Sequence, residues 1–151
     1  MTYSDIEVFT IGFTKTTAEH FFDRLVSSGV KRVIDVRLNN ASQLAGFAKG
    51  RDIGYFLESI GEIDYVHEPL LAPTVEILSA YKKDKRPWEE YEEKFLDLME
   101  MRKIDQKLSP ELFHQGCLLC SEDRPHFCHR RLVVEFLNER WDTAVMTIHH
   151  L

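Results

Sequence analysis

The sequence predicts an α/β fold: one three-layer domain over residues 1–151, with a mainly parallel sheet of about five strands and helices on both faces. Three observations carry this. Short apolar runs alternate with stretches of helical periodicity, the pattern of βαβ units. The composition of the 151 residues, 44% hydrophobic and 29% charged, is that of one ordinary globular domain. No repeat, low-complexity segment or linker divides the chain. A domain of this size buries roughly 70% of the surface its unfolded chain exposes, so neither disulfides nor a metal is needed to hold it together.

The elements follow in order. Ile6, Val8, Phe9 and Ile11 form a short apolar strand that stops at Gly12. Ala18, Phe21, Phe22, Leu25 and Val26 then recur at helical spacing, with Thr16 and Glu19 placed as a capping box and Ser28-Gly29 ending the pattern. Val30 to Val36 is the second strand. The polar stretch Asn39 to Gly50 is a loop before a helix whose face is Ile53, Phe56, Leu57 and Ile60, stopped by Gly61. Ile63 to Val66 is a third strand. Past Pro69 and Pro73 come two helical patterns, one around Val75, Leu78 and Tyr81, the other carrying Trp88, Tyr91, Phe95, Leu98 and Met99. The basic run from Lys82 to Arg86 between them reads as a solvated connection. Ser109-Pro110 opens a further helical turn, Cys117 to Cys120 is the fourth strand, Phe127 to Trp141 the last helix, and Ala144 to Ile148 the last strand.

Several function classes are excluded on charge and composition. With 25 acidic against 19 basic residues and a net charge of -6, binding of nucleic acid through bulk positive charge is out, while a local basic site is not. No apolar run reaches the roughly 18 residues that cross a bilayer, and Met1 to Ile11 has neither a basic segment nor a long apolar core. A cytoplasmic protein without a membrane partner is expected. The three cysteines, Cys117, Cys120 and Cys128, are an odd set without a secretion signal, so no disulfide framework is expected.

Right-handed crossovers put every carboxyl end of a parallel sheet on one edge, where open α/β proteins bind ligands. The sequence places Thr10 to Thr14, Arg37 to Lys49, His67 to Leu71 and Cys120 to Arg131 there. Asp35 and Arg37 share a face by period two and either pair with each other or, through Arg37, clamp a carboxylate or phosphate. Lys49 and Arg51 can add to such an anion site. Cys128, in the first turn of the last helix and beside Arg124, Arg130 and Arg131, is placed to be a thiolate. A Cys128 or His129 nucleophile with Glu122 as base is one arrangement, and a Glu122 salt bridge to Arg130 another. Cys117-x-x-Cys120 with Cys128 and His129 offers four soft ligands. Alternation points residues 117 and 120 to opposite faces, so no metal site is assigned and the cofactor is left open.

The chain resembles the proteins grouped as domain of unknown function family 488 over nearly its entire length. The matching stretches are Thr10-Ile11-Gly12, Asp35-Val36-Arg37-Leu38-Asn39-Asn40, Ser42-Gln43-Leu44-Ala45-Gly46-Phe47-Ala48-Lys49, Tyr65-Val66-His67, Leu118-Leu119-Cys120-Ser121-Glu122 and Cys128-His129-Arg130-Arg131. The resemblance implies an α/β cytoplasmic domain with a shared site made of Thr10, Gly12, Arg37, Lys49, Cys120, Glu122, Cys128, His129 and Arg130. Many members carry a histidine where this chain has Phe13, which argues against a required catalytic histidine there. A second likeness, of Val33-Ile34-Asp35-Val36-Arg37 and of a cysteine between a late strand and a helix, is to rhodanese sulfurtransferases.

Three functions follow as expectations. The first is recognition of an anion (phosphate, nucleotide or nucleic acid) by Thr10, Gly12, Arg37, Lys49 and Arg130. The second is a thiol-dependent enzyme, rhodanese-like in one form, using Cys120, Glu122, Cys128 and His129 as catalytic residues. The third is a non-catalytic interaction or regulatory module with core cysteines. The oligomeric state is left open.

Overall fold

The computed structural model describes residues 5–41, 46–142 and 145–151. The loop stretch Ser42 to Ala45 and Ala144, the expected start of the last strand, lie outside the described residues. The strands are β1 (Asp5–Gly12), β2 (Arg32–Asp35), β3 (Asp64–His67), β4 (Gly116–Cys120) and β5 (Val145–His150). The helices are α1 (Ala18–Ser27), α2 (Gly50–Gly61), α3 (Val75–Lys82), α4 (Trp88–Arg102), α5 (Ile104–Lys107), α6 (Pro110–Phe113) and α7 (His129–Arg140). The strands form one five-stranded sheet in the order β3-β2-β4-β1-β5, with every pairing parallel. This is the α/β architecture the alternating pattern predicts.

Parallel strands covered on both faces read as unbroken apolar runs, and the five residues Gly116-Cys117-Leu118-Leu119-Cys120 of β4 are all buried. Their side chains alternate between two cores. Ile34, Leu118, Cys120 and the α4 and α7 residues Phe95, Met99, Val133 and Leu137 make one. Val33, Cys117, Leu119 and the α1 and α2 residues Phe21, Leu25, Ile53 and Leu57 make the other. Each large apolar side chain fully buried in this way contributes roughly 1.5–3 kcal/mol. The expected opposition of Cys117 and Cys120 is therefore observed.

Strand ends shift by one or two residues from the sequence reading, with β2 shorter than Val30 to Val36 and β3 and β5 running on to His67 and His150, and three helix ends differ as well. The cap of α1 is Thr17, in extended geometry, whose side chain accepts from the His20 amide at 3.1 Å. A cap must sit one residue before the first helical residue, here Ala18, so the Thr16 and Glu19 capping box does not form. Gly61 is the last residue of α2 and Glu62 takes the left-handed conformation that ends it. A Cβ at Gly61 would crowd Val26 and Ile63, so this glycine serves close packing. Finally, α7 begins at His129 and leaves Cys128 as its N-cap. Among the described residues no helix is long and apolar enough to cross a membrane.

Candidate functional site

The neighbours β2 and β4 send their following connections to opposite faces of the sheet, α2 to one core and α7 to the other. Such a divergence opens a crevice at the carboxyl ends of the strands. A cavity of about 260 Å³ lies there. Cys120, Cys128 and His129 line it, with Tyr81, Trp88, Tyr91 and Phe127 as aromatic walls and Arg37, Lys82 and Glu122 among its polar residues.

The register places Cys120 beside Gly12 of β1, while the Val36 amide donates to the Leu119 carbonyl at 3.1 Å. His129, at the first turn of α7, reaches back over the strand ends. Its Nε2 lies 2.7 Å from the Val36 carbonyl, to which it donates, and its Nδ1 lies 3.7 Å from Cys120 Sγ. With Nε2 carrying the proton, the Nδ1 lone pair is aimed at sulfur. Cys120, Cys128 and His129 are all buried, and their donor atoms lie within 4.8 Å of one another.

The two thiols are not equivalent. The hydrogen bond from Cys128 draws the Cys120 thiol below its ordinary range, against burial, with help from the Ser121 and Glu122 amides and the Arg130 charge. Burial, followed by the Cys120 neighbour, pushes Cys128 well above its ordinary range. Both directions run against Cys128 as the thiolate and favour Cys120. A helix N-terminus favours an anion only while desolvation costs less than the dipole returns, and Cys128 is 3% exposed. Cys117, on the other face, is raised by burial alone among its larger causes.

The residues expected to bind an anion are used otherwise. Arg37 is 3% exposed and grips fully buried Asp35 with Nε at 2.9 Å and Nη2 at 2.7 Å. The same Nη2 donates to the Ala48 carbonyl at 2.6 Å, and the guanidinium lies 5.1 Å from the centre of the Phe13 ring. Only Nη1 lacks a partner among the described residues. Arg130 is fully buried, and its Nη1 donates to the backbone carbonyl of Glu122, holding the loop after β4. Its Nε and Nη2 have no partner among the described residues. Glu122 turns its carboxylate to Lys82 at 2.7 Å, so it neither pairs with Arg130 nor addresses a cysteine as base. Lys49 caps α2 without a side-chain bond and does not line the cavity. Thr10 is buried, with Oγ1 2.6 Å from Nδ1 of His150.

Gly12 has a steric duty. A Cβ there would overlap the Glu122 carbonyl, so only glycine lets the loop after β4 close over the end of β1. Thr14 completes the closure, its amide and hydroxyl both donating to the Ser121 carbonyl at 3.1 and 2.8 Å. Arg131 faces Glu92 and Glu135, and Arg124 is exposed.

The aromatic walls were absent from the sequence expectation as functional residues. Tyr81, Trp88 and Tyr91 sit at helical spacing, which reads as core. The Trp88 and Tyr91 rings stack at 4.9 Å, and Phe127, 59% exposed, meets Trp88 edge-on at 5.6 Å. Phe127 is the one signal available beforehand, as a large apolar residue within the polar segment between β4 and α7.

No curated protein and no solved structure matches the chain. The family model of the domain of unknown function DUF488 matches residues 17–137, which include every residue lining the cavity and leave out β1 and β5. The match covers the greater part of the chain, and with the fold and the strand-end motifs it shows that the protein belongs to the DUF488 family.

Proposed function

We propose that the domain is a thiol-dependent enzyme acting on a small, largely apolar or planar molecule held in the cavity at the carboxyl edge of the sheet. The observation that carries this is the convergence of Cys120 Sγ, Cys128 Sγ and an oriented imidazole nitrogen of His129 on a cavity walled by aromatic rings. Enclosed, mainly apolar pockets with a few convergent polar groups are where proteins hold small molecules. Here the convergent groups are soft donors. Ring walls supply contact area for a planar substrate, and Lys82, half-exposed beside Glu122, supplies a donor for a polar substituent. Recognition of a free phosphate or nucleotide has less support, because Arg37, Arg130 and Lys49 are committed to the fold or lie away from the cavity. The acidic chain gives no support for nucleic acid as a partner.

The test is differential alkylation of reduced, chelator-treated protein, read by mass spectrometry. Cys120 is expected to react roughly tenfold faster than Cys117, which lies behind the sheet. Planar aromatic fragments that bind, followed by the change in Trp88 fluorescence, are expected to slow alkylation of Cys120 and Cys128 but not of Cys117, and Trp88→Ala to remove that protection. Equal reactivity of Cys117 and Cys120, or fragment binding that leaves Cys120 unprotected, would overturn the proposal.

A further inference from the structure

The geometry points to a metal centre: we infer that Cys120 Sγ, Cys128 Sγ and His129 Nδ1 form a three-ligand site for Zn²⁺, with the fourth coordination position open to the cavity. The inference rests on the reading of the cavity as the working site and specifies the form its thiols take, as metal ligands and not as free nucleophiles.

Four features carry it. The first is donor chemistry. Two sulfurs and one imidazole nitrogen are the soft and borderline set that selects zinc over magnesium or calcium, and two cysteines with one histidine leave a tetrahedral ion one free position. The second is spacing. Zn–S near 2.3 Å and Zn–N near 2.0–2.1 Å place the sulfur and nitrogen of a tetrahedral site about 3.6 Å apart. Cys120 Sγ and His129 Nδ1 are 3.7 Å apart, and all three donor atoms lie within 4.8 Å. Closing the set on an ion needs movements below about 1 Å.

The third feature is the outer shell. Metal-bound histidine donates its other ring N–H to a carbonyl or carboxylate, which fixes the tautomer and the ring. His129 does so to the Val36 carbonyl at 2.7 Å, and this bond leaves Nδ1 unprotonated and facing the sulfurs. The fourth is charge and access. A divalent ion with two thiolates sums to zero, so loading adds no net charge to a buried place already flanked by the Arg130 guanidinium. The cavity supplies an entry path and room for a fourth ligand.

The spacing argument over Cys117 and Cys120 holds for those two residues only. Cys117 faces the opposite core, and the other three of the four soft ligands offered by the sequence, Cys120, Cys128 at the N-cap of α7 and His129, are the ones that meet.

The test uses the full chain, reduced and stripped of metal, titrated with Zn²⁺ against a chromophoric chelator and separately with Co²⁺. One equivalent of Zn²⁺ is expected to bind, and Co²⁺ to give thiolate charge-transfer bands with the strong visible absorption of a tetrahedral centre. Cys120→Ser, Cys128→Ser and His129→Ala are each expected to weaken Zn²⁺ binding by more than the 10–100-fold typical of losing an outer-shell partner, and Cys117→Ala to leave it unchanged. Because a buried variant can fail to fold, wild-type protein gives an independent reading: saturating Zn²⁺ should protect Cys120 and Cys128 together from alkylation. Absence of Zn²⁺ binding by wild-type protein, or binding that Cys117→Ala abolishes, would overturn the inference. If Zn²⁺ does not bind while Cys120 is alkylated fastest and is protected by fragments, only the metal inference fails and the thiol pocket stands. If Cys120 is also unreactive, both fail.

Discussion

Removing the Asp35 carboxylate should be among the most damaging single changes in this domain. Asp35 is fully buried and accepts four hydrogen bonds: from the Arg37 amide at 3.1 Å, Arg37 Nε at 2.9 Å, Arg37 Nη2 at 2.7 Å and the Tyr65 hydroxyl at 2.6 Å. Asp35→Ala strands a guanidinium that is 3% exposed, and breaking a buried pair from one side costs about 3–5 kcal/mol. Against a typical total stability of about 5–15 kcal/mol that is roughly a fifth or more. At roughly 2–4 °C per kcal/mol for a domain of this size, Tm should fall by roughly 6–20 °C. Urea denaturation followed by circular dichroism gives the free energy directly. Replacing both partners, as Asp35→Leu with Arg37→Met, should recover more than half of the loss, because the isolated buried charge is then gone. A loss below about 1 kcal/mol for Asp35→Ala would refute this reasoning. It would also mean that Arg37 is free to turn its fork to a ligand, and the anion-clamp reading of this edge would regain its main support.

Three other perturbations have defined outcomes. Gly12→Ala drives a Cβ into the Glu122 carbonyl, so the loop after β4 must move; about 1–3 kcal/mol of stability should be lost in urea, and the alkylation rate of Cys120 should change with it. Tyr65→Phe deletes the hydroxyl that donates to Asp35, and a hydrogen bond to a charged group contributes about 1.5–3 kcal/mol; burial and that hydrogen bond push the Tyr65 hydroxyl up to about 12, and burial raises Tyr91 further, so ultraviolet titration should show two tyrosines ionising late in wild-type protein and one in Tyr65→Phe. His150 has its pKa lowered by burial and then by Arg130, Arg131 and His126, so the unfolded chain binds its proton more readily. Its contribution is complete above the unfolded value near 6.5 and is lost as pH falls below it; urea midpoints should drop between about pH 7.5 and 5.5, and His150→Gln should flatten that dependence.

The fold could be read from periodicity because each strand is short, apolar and closed by glycine or a polar turn, and each long helix keeps one apolar stripe. The carboxyl edge could be read because a parallel sheet gathers its strand ends. The fates of the charges could not. Arg37 and Arg130 look alike in sequence, as basic residues at strand or helix ends, yet burial turns one into a prop for the Ala48 turn and the other into a tie for the Glu122 carbonyl. Whether an arginine faces solvent or supports a loop depends on what the tertiary packing lays over it, here the Ala48 turn over Arg37 and the loop after β4 over Arg130. The case for Cys128 as the thiolate weakens for a related reason. Local dipole arguments favoured Cys128, but desolvation, which depends on what covers the residue, outweighs them. The aromatic walls hid behind helical spacing, which marks the side chain that turns inward without saying whether it meets core or cavity. The short helix α5 was missed because four residues carry no period.

These reassignments have one structural origin. The connections after β2 and β4 leave the sheet on opposite faces, and each must bend sharply while keeping its backbone groups bonded. Arg37, anchored by Asp35, ties down the first connection through the Ala48 carbonyl; Arg130 ties down the second through the Glu122 carbonyl, over a glycine that permits the approach. The guanidinium groups thus brace the two connections and are largely spent in doing so, which leaves the soft donor groups of the crevice to Cys120, Cys128 and His129. On the proposed function, ligand choice then falls mainly to the segment that joins β3 to β4, because α3 and α4 deliver Tyr81, Trp88 and Tyr91 to the cavity. Changes in α3 and α4 should accordingly alter which molecules bind while leaving the sulfur and imidazole groups in place. Changes in the loop after β4 should disturb the reactive groups themselves, whatever the ligand.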